Sequence, residues 1–297
     1  MIEDLIHKLQ YEWQTLEITP TKSPTIEPLL DQIKALSSFD KLDGFTVTDN
    51  PLAKLKYSST LAAVKCAKEL EKPIICTISM RDKNKLALQS ELLGLNDFGV
   101  QAVLALTGDP AKLSDQPNVK GVFEGNSVEL LRMIKFFNAG VDFSGKPIKP
   151  APKQIFGFGV SDSFSKDISR LQKKWHAKIE NGAVGIITQP IFDANLGVTL
   201  LKAFNEVTAT FADERKNAKL IFGIFPITSL KTAQFLYSHV PGIYVPESYI
   251  DALLKDDRSE VGIDITKNVL DELWKINPRV HYMTANRFWA VDQLIKN

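Results

Sequence analysis

Ala102-Val103-Leu104-Ala105-Leu106 runs straight into Thr107-Gly108-Asp109-Pro110: five apolar residues, then abrupt turn chemistry. The run is continuous, not alternating, as expected of a parallel strand covered on both faces. Seven further runs share this character: Thr15–Ile18, Gly44–Thr48, Pro73–Ser79, Ile155–Gly159, Val184–Thr188, Leu220–Phe225 and Val280–Thr284. Helical patterns lie between them. Ser59–Leu70 and Val128–Phe137 carry apolar stripes, and Lys166–Asn181 stops at Asn181-Gly182, a good helix terminator. Eight βα units in 297 residues predict one α/β domain, a single (β/α)8 TIM barrel spanning 1–297. After the seventh strand the rhythm changes. Two or three helix patterns, roughly Ser229–His239, Pro246–Lys255 and Ser259–Lys275, precede the last strand and read as one elaborated connection. Two long loops, Thr107–Asn126 and Gly140–Lys153, are of the length that tends to be functional or mobile.

Composition narrows the function. Lys and Arg total 36 against 35 Asp and Glu, a net charge of +1 that offers nothing general to nucleic acid or to an anionic membrane. The two cysteines, Cys66 and Cys76, are too few for a disulfide framework or a cysteine-rich metal site. His7, His176, His239 and His281 show no ligand spacing, so no metal is expected. MIEDLIHKLQ has no apolar signal core and no later run is long enough to span a bilayer, so the expected compartment is the cytoplasm. Homo-oligomerisation is left open.

A barrel builds its site at the C-terminal ends of its strands. Here those ends read Glu17-Ile18-Thr19-Pro20, Thr48-Asp49-Asn50-Pro51, Ser79-Met80-Arg81-Asp82, Thr107-Gly108-Asp109-Pro110, Thr188-Gln189-Pro190 and Thr284-Ala285-Asn286-Arg287. Thr-Gly-Asp-Pro and Thr-Asp-Asn-Pro are equally good turn and cap chemistry. Glu17 stands apart, because a carboxylate inside an apolar strand is costly without a task or a partner.

These blocks, with Arg81-Asp82-Lys83-Asn84, Leu88–Gly94, Ile187–Asp193 and Val240-Pro241-Gly242-Ile243, resemble the methylenetetrahydrofolate reductase family in order and spacing from Glu17 to Arg287. The likeness is greatest to the branch often fused to a homocysteine methyltransferase, a domain these residues do not contain. The resemblance implies a barrel oxidoreductase of one-carbon metabolism and methionine biosynthesis. It would reduce 5,10-methylenetetrahydrofolate to 5-methyltetrahydrofolate with FAD and with NADH or NADPH. It implies Glu17 as general acid and Asp109 as a catalytic aspartate near flavin and pterin. Thr48, Thr77, Thr107, Gly108 and Lys178 would contact the flavin cofactor, and Gln189, Phe225 and Arg287 the folate. A buried glutamic acid with a raised pKa suits the chemistry, since opening the methylene bridge to an iminium needs a proton near neutral pH. The aspartate would stabilise that cation.

The chain also departs from the family pattern. Thr77 stands where a histidine is usual, and the segment after the fifth strand reads Gly159-Val160-Ser161-Asp162-Ser163-Phe164. Aligned on Asn181-Gly182-Ala183, the next helix keeps Lys178 but places Ala177, Lys174 and Leu171 where the family grips FAD. A register one turn away restores Asp167, Arg170, Lys173 and Lys174. FAD bound weakly or not at all therefore stays open beside a remodelled FAD site. So do a flavin-free variant with direct hydride transfer and a non-catalytic folate-binding or partner-regulating barrel.

Overall fold

The computed structural model describes residues 1–239 and 242–295; Val240-Pro241 of the family block lies outside them. Eight parallel strands close in sequence order: β1 Trp13–Ile18, β2 Gly44–Val47, β3 Ile74–Ser79, β4 Ala102–Leu106, β5 Phe156–Ser161, β6 Ala183–Pro190, β7 Lys219–Ile224 and β8 Arg279–Tyr282. The expected (β/α)8 barrel is the observed one. Strand ends shift by at most two residues: β1 starts earlier, at Trp13, and β8 stops at Tyr282, short of the expected Thr284. β1 pairs with β8 (Trp13↔Arg279, Thr15↔His281) and closes the ring.

Helices fill the connections: α1 Ile2–Lys8, α2 Glu27–Lys34, α3 Ser59–Leu70, α4 Lys85–Asp97, α5 Ser127–Asn138, α6 Ile168–Glu180, α7 Ala194–Thr208, α8 Leu230–His239, α9 Glu247–Lys255, α10 Ser259–Ile276 and α11 Trp289–Asp292. Polar caps start several of them. Asn84 Oδ1 accepts from Ala87 N–H at 2.9 Å, Asn126 Oδ1 from Val128 N–H at 2.9 Å, and Asp193 Oδ1 from Asn195 N–H at 2.9 Å. α6 ends at Asn181-Gly182, with Gly182 at φ +94°, as its sequence demands. α8, α9 and α10 are the expected elaboration between β7 and β8, packed over Phe192, Ile227 and Tyr249.

Strand side chains alternate between the two faces. The outward set meets the helices in the main core, through Leu16, Phe45, Cys76, Val103, Ile186 and Phe222. The inward set of Trp13, Ile75, Ala102, Leu104, Phe158, Ile187 and Ile221 fills the lumen. Leu5 and Leu9 join that inner cluster, so α1 plugs the N-terminal mouth. The sequence reading did not anticipate this helix. Arg279 fastens it, its Nε donating to the Leu9 carbonyl at 2.6 Å. With this end shut, the lumen opens only toward the C-terminal strand ends.

Candidate active site

On β1, Trp13, Thr15 and Glu17 point inward in ascending order. Next to Glu17 on the inward face lies a neutral hydrogen-bonded group. Trp13 Nε1 donates to Thr15 Oγ1 at 2.9 Å, Thr15 Oγ1 meets His281 Nδ1 at 2.9 Å, and Thr46 Oγ1 lies 3.3 Å from His281 Nε2. Burial pushes the His281 pKa down to about 3, so its imidazole stays neutral near physiological pH. No cation therefore supports Glu17 from below. Desolvation raises the Glu17 carboxyl to about 7, and a hydrogen bond with Thr19 offsets this only in part.

Glu17 forms part of the lining of a cavity of about 780 Å³ at the C-terminal strand ends. Thr48, Thr77, Thr107, Gly108, Asp109, Lys178 and Gln189 line the same cavity, so eight of the ten expected site residues are brought together. Phe225 and Arg287 are not in the lining. Phe225 packs with the cluster under α8 and α9, and exposed Arg287 donates through Nη1 to Thr228 Oγ1.

The wall beside Glu17 is braced by charges that the sequence reading passed over. Asp49 Oδ2 accepts from both the backbone N–H and the hydroxyl of Ser79, at 3.0 Å each, tying β2 to β3. Arg81 is buried and grips Asp82 at two points, Nε to Oδ1 at 2.7 Å and Nη2 to Oδ2 at 2.6 Å. The pair lowers the Asp82 pKa and raises that of Arg81. The Thr107-Gly108-Asp109 turn folds directly over this layer. Gly108 sits at φ +94°, and a Cβ there would stand 2.7 Å from Arg81 Cβ, so only glycine fits. That turn aims Asp109 across the mouth, where its Oδ2 accepts the Leu52 N–H at 2.6 Å. Leu52 and Ala53 hold left-handed φ values of 56° and 57°. Non-glycine residues adopt these at a cost of about 1–3 kcal/mol each, typically where the surrounding structure needs them.

Helix α6 supplies the opposite wall through Lys173, Lys174, Ala177 and Lys178. Lys178 is buried, with its Nζ donating to the Val160 carbonyl. Burial, then the charge of Lys174, pushes its pKa down to about 8, against the pull of Asp162. Lys174 pairs with Asp162 at 2.9 Å. Both helix registers weighed from sequence are thus partly represented: Lys173 and Lys174 from one, Ala177 and Lys178 from the other. Leu171 points into the core, while Asp167 caps α6 and exposed Arg170 pairs with it.

Two features fit a flavin. The hydroxyls of Thr48 and Thr77 are buried on the cavity wall with no partner among the described residues. A buried hydroxyl left unpaired costs about 1–3 kcal/mol, which a polar ring edge would remove. The lysines of α6 offer charge to a diphosphate. Val160 and Ala177 offer it no hydrogen bond from their side chains. Among the described residues no group of His, Cys, Asp or Glu is placed to hold a metal ion, and no helix is long and apolar enough to cross a membrane.

Comparison with known proteins agrees with this geometry. A solved structure of an uncharacterized protein from Clostridium thermocellum, described as binding two copies of 5-methyl-5,6,7,8-tetrahydrofolic acid, superposes with a TM-score of 0.66 at 15% identity. It covers 99% of this chain and 96% of that one. An F420-dependent secondary alcohol dehydrogenase superposes at 0.59 and 10% identity over 96% of this chain and 98% of its own. Both show the shared barrel. In sequence, methylenetetrahydrofolate reductase 2 of Schizosaccharomyces pombe is 24% identical over 253 residues, 81% of this chain. The match spans only 38% of that longer relative. The family model for methylenetetrahydrofolate reductase matches residues 2–297, nearly end to end, and the chain belongs to that family.

Proposed function

We propose that the protein reduces 5,10-methylenetetrahydrofolate to 5-methyltetrahydrofolate, with NADH or NADPH as the source of hydride. The observation that carries this is Glu17: a carboxyl raised to about 7, lining the cavity in a family whose reaction needs an acid near neutral pH. Its proton goes to one nitrogen of the methylene bridge, the C–N bond breaks toward that nitrogen, and an iminium remains on the other. Hydride delivered to the iminium carbon completes the methyl group. Glu17, then a carboxylate, takes a new proton from solvent through the cavity mouth.

Asp109 faces the cavity as a fixed carboxylate and stabilises the cationic intermediate, and Gln189 supplies an amide for the pterin edge. Asp109→Asn keeps the acceptor for Leu52 N–H but removes the charge. Folate turnover is expected to fall by about tenfold to a hundredfold, with the melting temperature nearly unchanged. A lower melting temperature with full turnover would reduce Asp109 to turn chemistry.

FAD, when bound, would supply the hydride-transfer chemistry between nicotinamide and folate. Thr48 and Thr77 would take its ring edge, and Lys173, Lys174 and Lys178 its phosphates. Because Val160 and Ala177 leave polar groups unmatched, at about 1–3 kcal/mol each, binding is expected to be loose and partly lost on purification. Titrating FAD into dialysed protein, with folate reduction as readout, should restore activity saturably. Stoichiometric yellow protein after dialysis would show tight binding instead. The apolar side chains of Val160 and Ala177 also favour a second reading, direct transfer from nicotinamide to folate. Full activity without bound or added flavin would establish it.

A further inference from the structure

At the opposite end of the barrel, between α7, the start of β7 and the α10–β8 turn, lies a hollow of about 520 Å³. Its polar lining includes Thr208, Lys216, Lys219, Asn277 and Arg279, and among the described residues no carboxylate lines it. Lys219 is half-buried on β7, two residues before inward-facing Ile221. Arg279 is half-buried on the adjacent β8. Burial, then the charge of Arg279, holds Lys219 below its ordinary value, and burial lowers Arg279. Among the described residues the hydrogen-bond partners of Arg279 are neutral. Nε donates to the Leu9 carbonyl, Nη2 to the Gln10 carbonyl and Nη1 to Asn277 Oδ1 at 2.8 Å.

Those contacts explain Arg279, whose positive charge suits the C-terminal end of α1. They do not explain Lys219. A lysine placed in a partly buried hollow beside an arginine, with no acid acting on it, is repelled without compensation. A structural role would be served better by an apolar side chain of the same length. The arrangement makes sense if the counter-charge comes from solution. Three cations with no carboxylate favour a doubly charged group. Arg279 keeps two of its five N–H donors beyond the three engaged, and the Thr208 hydroxyl and Asn277 lie in the same wall.

We propose that this hollow is a phosphate-binding site, distinct from the folate cavity, which takes the dianionic phosphate of a small molecule between Lys219, Arg279 and Lys216. The ligand binds the folded state only, so it stabilises the protein by mass action.

Inorganic phosphate and glycerol 3-phosphate, each titrated against sodium chloride at matched ionic strength, test this by thermal melting and calorimetry. The wild-type melting temperature should rise saturably by a few degrees. Response to both probes assigns the site to a phosphate ester, and response to inorganic phosphate alone assigns it to the free ion. Lys219→Met should melt higher than wild type in phosphate-free buffer, because the repulsion is gone, and should lose the phosphate response. Lys216→Ala, an exposed position, should weaken phosphate binding about tenfold without changing the phosphate-free melting temperature. A wild-type response no larger than that to chloride, or one retained in Lys219→Met, would overturn the proposal.

Discussion

Glu17→Gln is expected to lower methylenetetrahydrofolate reduction by about a hundredfold or more; if FAD is used, oxidation of NAD(P)H should stay intact. The amide keeps the shape and loses the proton. The same substitution has a signature in stability. The folded-state pKa is about 7, against roughly 4.3 for an unfolded glutamate. Between those values the folded chain holds a proton that the unfolded chain has released. Wild-type stability should therefore decline as pH rises from about 4.3 to 7 and then level off. Above that window Glu17→Gln should be more stable than wild type, by about 1–3 kcal/mol because part of the side chain faces the open cavity. At pH 4 the two should coincide. Folate reduction by the wild type should in turn fall about tenfold per unit above pH 7, as the acid form disappears. Unchanged folate turnover in Glu17→Gln would remove Glu17 from the mechanism, whatever the melting curves show.

Gly223→Ala is expected to cost about 3 kcal/mol of stability and to weaken folate binding. Between Ile187 and Pro190 the β6–β7 pairing shifts register, and Gly223 lies against the irregularity. Its N–H donates to Thr188 Oγ1 at 2.9 Å and its carbonyl accepts Ile191 N–H at 2.9 Å. A Cβ on Gly223 would sit 2.3 Å from the Thr188 carbonyl oxygen and 3.0 Å from that of Gln189. Backbone cannot swing aside as a flexible side chain does, so the irregularity must open, and Gln189, which lines the cavity, lies within it. Gly94→Ala is the matched control. A Cβ there meets nothing within 4 Å in helix α4, so it should be neutral or stabilising. A Gly223→Ala melting temperature equal to wild type would refute the steric argument. Normal stability with weakened folate binding would confine the effect to Gln189.

The residues legible in the sequence are those whose signal is local. Eight continuous apolar runs mark the strands, and polar residues in or just past their C-terminal ends include Glu17, Thr48, Asp109 and Gln189, which line one cavity. What escaped depends on direction and register. His281 was one of four scattered histidines; its place under Glu17 follows from the pairing of β8 with β1. Asp49 and Arg81 stood among the polar strand ends with no role of their own, because nothing local shows that Asp49 ties β2 to β3 or that Arg81 is buried against Asp82. Lys173 and Lys174 join Lys178 on the cavity wall only once the rotation of α6 is fixed by Leu171 and Trp175 in the core. Phe225 and Arg287 show the converse, correct strand ends whose side chains turn aside from the lining. Helix α1 has seven residues and a charged surface, too short for its i, i+4 pair Leu5 and Leu9 to stand out.

The bond from Arg279 to Leu9 spans 270 positions of sequence. On a ribosome adding about 5–20 residues per second, that interval lasts roughly fifteen to fifty seconds. Throughout it β1 has one raw edge, the newest strand has another, and the inward faces of Trp13, Thr15 and Glu17 lack the neighbour that completes their layer. No early closure is open to the nascent chain, because the seam partner is the last strand made. The plug that shuts the barrel floor thus precedes every strand and is locked only by the eighth, and until β8 is made the unclosed barrel carries exposed strand edges, the feature most prone to pair with a stranger.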